Sequence, residues 1–443
     1  MTFINKYVIV LIAAILVFCA SNINWGGDKW RNIVLSDGKG YYAYLPAIFI
    51  YHDLNLGFYD SIEHKYYYKN TYYDYRADDE QGHVIDKYFS GTAVLMLPFF
   101  LQAHIFALLA DLPADGYSKF YPIAINIAAI FYLVAGLFFL KRLLRFYTPN
   151  ESVISFVLIV FAFGTNLFYY AITEPAMSHV YSFFCITALV YYYKCFTFTF
   201  SNKHIFYGAL LLGLIMLIRP ANGLVLFALP FICNNPKQFA ATISIILKNK
   251  LQSIIAILIP FAIISIQFII YKLATGHFFV DAYRHEHFNW LKPEFVNILF
   301  SYKKGLFIYT PVALLSLAGL FHLFKQNRYQ LFSFLGFFIL LTYVLSSWWC
   351  WYYGGSFGLR AYIEFYSLFA ILMTIALTTI SNKILKNIYN SLIVLAVIIC
   401  MIQTYQYRYY QIHWSEMTKE KYWDVFLRVD KLTSPQPSQN GRE

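Results

Sequence analysis

Apolar residues run along this chain in long uninterrupted stretches, many of about 18–22 residues, the length a helix needs to cross a hydrocarbon core of about 30 Å. The stretches fall at 6–23, 119–140, 152–172, 179–198, 205–218, 220–233, 251–271, 305–324, 330–348, 361–380 and 388–404, and predict about eleven transmembrane helices. A further run, Leu95 to Leu109 (LMLPFFLQAHIFALL), covers only 15 residues and carries Pro98, Gln102 and His104; it reads as an interfacial or re-entrant helix. The strands of a membrane β-barrel would alternate in segments of about ten residues, and these runs do not alternate. The pattern predicts an all-α, polytopic membrane protein.

Charge placement orients it. With the N-terminus cytoplasmic and 95–109 not crossing, the inner side holds Lys6, Lys141, Arg142, Arg145, Lys194, Lys203, Lys237, Lys248, Lys250, Lys325, Arg328, Lys383 and Lys386. Those 13 bases face a single acid, Glu151, whereas the outer side carries 21 bases and 22 acids. Were 95–109 to cross, the Lys141–Arg145 cluster would point outward, against the positive-inside tendency. All eight Trp (Trp25, Trp30, Trp290, Trp348, Trp349, Trp351, Trp414, Trp423) fall on the outer side, more one-sided than a pair of anchoring belts requires. The first apolar run resembles a signal peptide, but no A-x-A site follows it and Phe18 precedes Cys19, so an uncleaved first helix is expected.

Composition narrows the class. Hydrophobic residues make up 59% and charged residues 13%, too little charge to cover the surface of a soluble protein of this length. The same figures exclude disorder, collagen and a disulfide scaffold. The net charge of +11 is largely the inner-side topology signal, not a nucleic-acid surface. The six Cys show no paired or metal-binding spacing and read as packing residues. Cytoplasmic loops are short, with no P-loop and no dinucleotide fingerprint, so the chemistry runs without ATP hydrolysis by this chain. The absence of internal repeats weighs against a secondary transporter. One membrane domain over 1–404 is expected, with a large first outer segment (24–118), a second (272–304), and an outer tail (405–443) whose SPQPSQNGRE end reads as frayed.

Candidate chemistry lies on the outer side. Asp37, in SDGKGYYAYLPA, is a carboxylate on a tight turn just past the first span, or simply a turn-forming Asp-Gly. Glu174, in TEPAMSHVYSFF, stands between two apolar runs near a helix N-terminus; the alternative is plain dipole compensation. Arg219 (LIRPANG), Arg360 (SFGLRAYIEF) and the Lys303–Lys304 pair (YKKGLFIYTP) each resemble snorkelling anchors. Together, beside apolar grooves, they suit a lipid phosphate or diphosphate. Tyr41, Tyr42, His179, Trp349, Trp351 and Glu364 complete a candidate substrate-binding set; the Trp348–Trp351 cluster with Gly354 and Gly355 suits stacking on a sugar ring or prenyl chain, or plain anchoring at the membrane interface. His285, Glu286 and His287 would place alternate side chains on one face for a divalent cation, but a third ligand is missing and solvent exposure is the simpler reading.

In order and spacing these motifs resemble the GT-C class of integral membrane glycosyltransferases, in the protein mannosyltransferase and aminoarabinose transferase-like branch. The resemblance runs over about 1–365: SDGKGYYAYLPA, KYFSGTAVLMLPFFL, TEPAMSHVYSFF, LIRPANG, YKKGLFIYTP and WWCWYYGGSFGLR. It implies a GT-C fold with juxtamembrane helices in the first outer loop, among them 95–109. It also implies a polyprenyl-phosphate sugar donor and a lipid, glycan or protein acceptor at the outer face of a bacterial cytoplasmic membrane. The essential first-loop carboxylate of the class carries over to Asp37, its second acid to Glu174 and a first-loop Lys to Lys87; where relatives often have an acid after the first, this chain has Gly38. One base suffices for such a reaction, because phosphate is already a good leaving group once cations stabilise it. Two rivals are an O-antigen polymerase or ligase using a diphosphate-linked glycan, disfavoured by the acidic first loop, and a lipid-linked glycan flippase. The flippase would need charges within the spans, and here they sit at the ends.

Overall fold

The computed structural model describes residues 3–67, 73–79, 81–284 and 286–430. Helices dominate. The first, α1 (Phe3–Ala20), is prolonged by a π turn to Trp25. The connection after it holds α2 (Asp37–Pro46), α3 (Tyr59–Tyr66) and a hairpin of β1 (Arg76–Asp78) and β2 (Val84–Asp86), paired antiparallel with Ala77 opposite Ile85. Then follow α4 (Gly91–Leu109), α5 (Phe120–Leu144), α6 (Glu151–Phe163), α7 (Leu167–Ile172), α8 (His179–Thr199) and α9 (Asn202–Ile218). A 3-10 stretch, Pro220–Ala228, leads through α10 (Leu229–Ile232) and α11 (Pro236–Lys248) to α12 (Lys250–Thr275). The last part has α13 (Phe295–Phe300), α14 (Leu306–Tyr309), α15 (Pro311–Ser316), α16 (Gly319–Gln326) and α17 (Arg328–Ser346). It closes with α18 (Tyr366–Thr379, entered through a 3-10 turn from Arg360), α19 (Lys383–Arg408) and α20 (Lys419–Val425).

Among the described residues seven helical stretches are long and apolar enough to cross a membrane: Asn5–Trp25, Gly91–Leu109, Phe120–Leu144, Lys250–Thr275, Arg328–Ser346, Arg360–Thr379 and Lys383–Arg408. With the composition, they make the chain an integral membrane protein of all-α class. The other runs read as spans are helical but shorter, broken, or rich in tyrosine. The run 305–324 is split into α14, α15 and α16: Pro311 drives Thr310 out of helical geometry (φ −135°, ψ 67°) between the first two, and α15 ends at Ser316 before α16 begins at Gly319. The run 152–172 breaks at Gly164–Asn166, between α6 and α7, and 220–233 begins as a 3-10 coil behind Pro220. The helix α8 is continuous over 21 residues but carries Tyr191, Tyr192, Tyr193 and Lys194.

The length of α4 departs from the sequence reading: it has 19 residues, not 15, because Gly91–Val94 join it. It lies antiparallel to one half of α5. The Tyr132 hydroxyl donates to the Leu95 carbonyl at 2.9 Å, Tyr121 meets His104 at 2.7 Å, and the Phe106 ring packs 4.9 Å from Phe120. These contacts leave the Lys141 half of α5 to other helices. At that far end Lys141 donates to the Asn5 carbonyl (3.0 Å) and, with Arg145, pairs with Glu151.

The tyrosine content has a packing explanation. Tyr181, Tyr309, Tyr362 and Tyr366 are fully buried, and each hydroxyl finds an internal acceptor: Pro175 O (3.0 Å), Tyr302 O (2.6 Å), Thr342 Oγ1 (2.8 Å) and Asn166 Oδ1 (2.6 Å). Burying a phenol without such a partner would cost about 1–3 kcal/mol. The segment after 404 is also no free tail as far as it is described. The helix α19 continues to Arg408, Gln403 donates to the Tyr422 hydroxyl of α20 (2.8 Å), and Trp414 lies against Gly355. The SPQPSQNGRE stretch falls outside the described residues.

Candidate active site

The site is assembled at the end of the bundle opposite Lys141. Ser36, at φ 50°, turns the chain into α2, so that Asp37 opens the first helical turn. Gly38 lets α2 sit directly on the turn between α7 and α8: a Cβ there would lie 2.8 Å from the Ala176 Cβ. A second acid after Asp37 has no room. Gly40 does the same for the tyrosines, since its Cβ would fall 2.4 Å from the Tyr88 ring.

Asp37 Oδ2 accepts from Arg360 Nη2 at 2.7 Å, and the Tyr73 and Tyr88 hydroxyls, 2.5 Å apart, also hydrogen-bond the carboxylate. Burial pushes the Asp37 carboxyl up, but the Arg360 guanidinium and the two phenols outweigh it and hold the group below its ordinary value. Arg219 caps α9 in an extended conformation, and its Nη1 lies 3.4 Å from Glu364 Oε1. The same oxygen meets His179 Nδ1 at 2.9 Å, and Glu364 is fully buried. The 3-10 turn Arg360–Phe365 therefore supplies both knots, Arg360 to Asp37 and Glu364 to Arg219 and His179.

A cavity of about 660 Å³ opens beside these groups. Asp37, Lys87, Arg219, Glu286 and Arg360 line it, with a wall of Tyr41, Tyr73, Tyr88, Tyr283, Trp349 and Tyr353. Of the residues singled out in the sequence, Asp37, Tyr41, Arg219, Arg360, Lys87 and Glu286 meet here, with Trp348, Trp349, Gly354 and Gly355 of the Trp cluster. The others stand behind or away from it. Tyr42 is fully buried with its hydroxyl on the Gly116 carbonyl, and Trp351 packs edge-on against Tyr352. His179 and Glu364 form the buried support of Arg219 and do not touch the cavity.

The Lys303–Lys304 pair splits. Lys303 Nζ lies 3.5 Å from the centre of the Tyr352 ring. Lys304, 1% exposed, donates to the Ser356 carbonyl and sits 5.2 Å from the centre of the Tyr407 ring. Burial, reinforced by Arg360, pushes the Lys304 amine well below its ordinary value against the pull of Glu174. Glu174 accepts from the Tyr169 hydroxyl at 3.0 Å, and its Oε2 is buried without a hydrogen-bond partner among the described residues. Burial raises the Glu174 carboxyl, with Arg360 and Tyr169 opposing.

The metal motif does not assemble among the described residues. His285 lies outside them, and Glu286 instead pairs with Lys87 and accepts from the Trp349 indole at 3.3 Å. No group of three His, Cys, Asp or Glu side chains there is placed to hold a cation. Reading the sequence alone missed Tyr73, Tyr88, Tyr283 and Tyr353. Their only signal is membership of tyrosine-rich segments, which many buried packing residues share.

No protein-family model matches the chain, and no curated protein matches it in sequence. Solved structures similar in fold include the archaeal oligosaccharyltransferase AglB from Archaeoglobus fulgidus, in complex with an inhibitory peptide and a dolichol-phosphate (12% identity, TM-score 0.49, 100% of this chain and 61% of that one). An apo-form crystal structure of the Archaeoglobus fulgidus oligosaccharyltransferase is similar at 13% identity and TM-score 0.49, over 99% of this chain and 61% of that one. The chain thus spans about three-fifths of the length of these proteins.

Proposed function

We propose that this chain is an integral membrane glycosyltransferase of the GT-C class, moving a sugar from a polyprenyl-phosphate carrier to a hydroxyl or amine acceptor with inversion. The observation that carries the reading is convergence: an ionised carboxylate, two guanidinium groups and a wall of aromatic rings meet in one cavity at one end of a membrane bundle. On this reading that end faces the extracytoplasmic side of a bacterial cytoplasmic membrane, an orientation that the asymmetry of charge along the sequence supports. On this reading the bundle over 1–404 is the catalytic domain, the 24–118 segment supplies Asp37, Tyr73, Lys87 and Tyr88, and the 272–304 segment supplies Glu286.

In this mechanism the acceptor O–H or N–H hydrogen-bonds to Asp37, which orients it behind the anomeric carbon. The new bond to C1 forms as the C1–O bond to phosphate breaks, and the acceptor proton passes to Asp37 and on to solvent. Electron density leaves with the phosphate, where Arg219 and Lys87 are the cations placed to receive it. Arg360 is committed to Asp37 and keeps the base ionised. Trp349 and Tyr353 offer apolar ring faces to the sugar. Cavities of this size take a ligand head, so the prenyl chain lies outside, along the apolar helices. Glu174, Lys303 and Lys304 act from behind, by shaping the loop before Arg360.

The test is reconstitution into liposomes with a radiolabelled polyprenyl-phosphate sugar and a panel of acceptors. Label transferred without net movement of carrier across the bilayer supports the reading. Carrier movement without transfer makes the chain a flippase, and turnover confined to diphosphate-linked glycans makes it the polymerase or ligase type.

A further inference from the structure

The charged groups lining the cavity are paired, but the pairs differ in kind. Asp37 opens helix α2 and Arg360 the 3-10 turn before α18, and the acid that holds Arg219 is buried behind the wall. The partner of Lys87 instead stands in the wall beside it: the Lys87 and Glu286 side chains are 24% and 21% exposed. Glu286 belongs to the connection between α12 and α13, and its second oxygen holds the indole N–H of Trp349. The neighbouring backbone follows the same line, with the Trp349 amide on the His287 carbonyl (3.0 Å) and the Phe288 ring 4.8 Å from Trp348. Tyr283 stands between the knots: Lys87 Nζ is 5.5 Å from its ring, and Arg219, Asp37 and Glu286 all act electrostatically on its hydroxyl. One carboxylate therefore ties a cation of the cavity to a stacking ring of the cavity.

To an ammonium group, a carboxylate and a phosphate ester are interchangeable partners, each a delocalised anion with several acceptor oxygens. We infer that Glu286 is an internal competitor for the donor phosphate at Lys87. The inference rests on the lipid-phosphate reading given above. In the empty cavity Glu286 balances Lys87 and holds Trp349 through its indole. An incoming phosphate takes Lys87, and Glu286 gives up that cation while its second oxygen keeps the Trp349 indole. A neutral lipid of the same length cannot make that exchange.

The experiment uses the full chain in nanodiscs, with equilibrium binding of a polyprenyl monophosphate and of the matching polyprenol. The wild-type protein is expected to prefer the phosphate. E286Q should bind the phosphate about two- to fivefold more tightly, the effect of removing a partly exposed competing pair, with polyprenol binding unchanged. K87M should bind it more weakly, and K87M/E286Q should show no gain over K87M. Phosphate affinity that is unchanged or weaker in E286Q, in a wild type that prefers the phosphate, overturns the competition and leaves the lipid-phosphate reading standing. A gain that survives in K87M/E286Q also overturns it, because it would report only the removal of one negative charge. A wild-type protein that binds polyprenol as well as its phosphate overturns both.

Discussion

Asp37 has an ordinary side chain in an unusual setting, and its behaviour with pH follows from that setting. Its carboxyl is held below the ordinary value, so it stays ionised across the neutral range and into mild acid. A carboxyl depressed in the folded state contributes stability above its unfolded pKa and loses it as pH falls through the folded value. Transfer activity should therefore run flat from neutral pH down to about pH 5 and fall only in the acid carboxylate range. An acid limb centred near pH 6 to 7 would assign the base to another group. Glu174 has the opposite sign. Its carboxyl is raised, so the native state favours the protonated form, and ionisation weakens the fold as pH rises past the unfolded value. Glu174→Gln, which still accepts from Tyr169, should cost less than about 1 kcal/mol at neutral pH, measured as thermal midpoint in detergent. A drop of several kcal/mol would show that the ionised form is structural. Arg219→Lys keeps the charge but loses the planar fork that reaches both Glu364 and the cavity. Donor affinity should fall about tenfold, read by titration with a polyprenyl phosphate. Of this site, Asp37, Arg219 and Arg360 were legible because a charge between apolar runs stands out. Tyr73 and Tyr88 were not, because a phenol in a run of phenols carries no local mark of which one faces a carboxylate.

At the level of elements, the positions of the helices were legible and their continuity was not. Hydropathy sums over a window, so it passes through Thr310–Pro311 and Gly164–Asn166, where one residue's backbone geometry ends a helix. The same blindness hid the reach of α4, whose first turn starts at a glycine for a reason outside the helix. A Cβ on Gly91 would lie 2.3 Å from the Ile218 nitrogen, so the N-terminus of α4 abuts the end of α9, immediately before Arg219. Gly91→Val should push those two ends apart and displace Arg219. The expected outcome is a stability loss of about 1–3 kcal/mol together with a larger proportional loss of donor binding than of expression. Wild-type donor binding in that variant would remove α4 from the support of the site. Gly38→Asp tests the other close approach, the one that leaves no room beside Ala176.

Over the whole molecule, the unequal distribution of charge and aromatic residues in the sequence corresponds to two ends of a bundle with different contents. One end gathers Lys141, Arg145 and Lys194 against Glu151 and main-chain carbonyls. The other gathers the cavity, its acids, and Trp348 and Trp349 in its wall. What composition could not show is which of the many charges at this end share a cavity, because that depends on the loops folding back onto the bundle, α20 and the 347–359 segment included. The central claim is that this cavity performs sugar transfer with Asp37 as its base, and one comparison tests it most directly. Wild-type and Asp37→Asn proteins are reconstituted side by side, and transfer from a radiolabelled polyprenyl-phosphate sugar is followed to product. The account predicts that the wild type transfers label and that Asp37→Asn, folded and still binding the carrier, is slower by about 10²–10⁴-fold. Near-normal turnover in Asp37→Asn would contradict it.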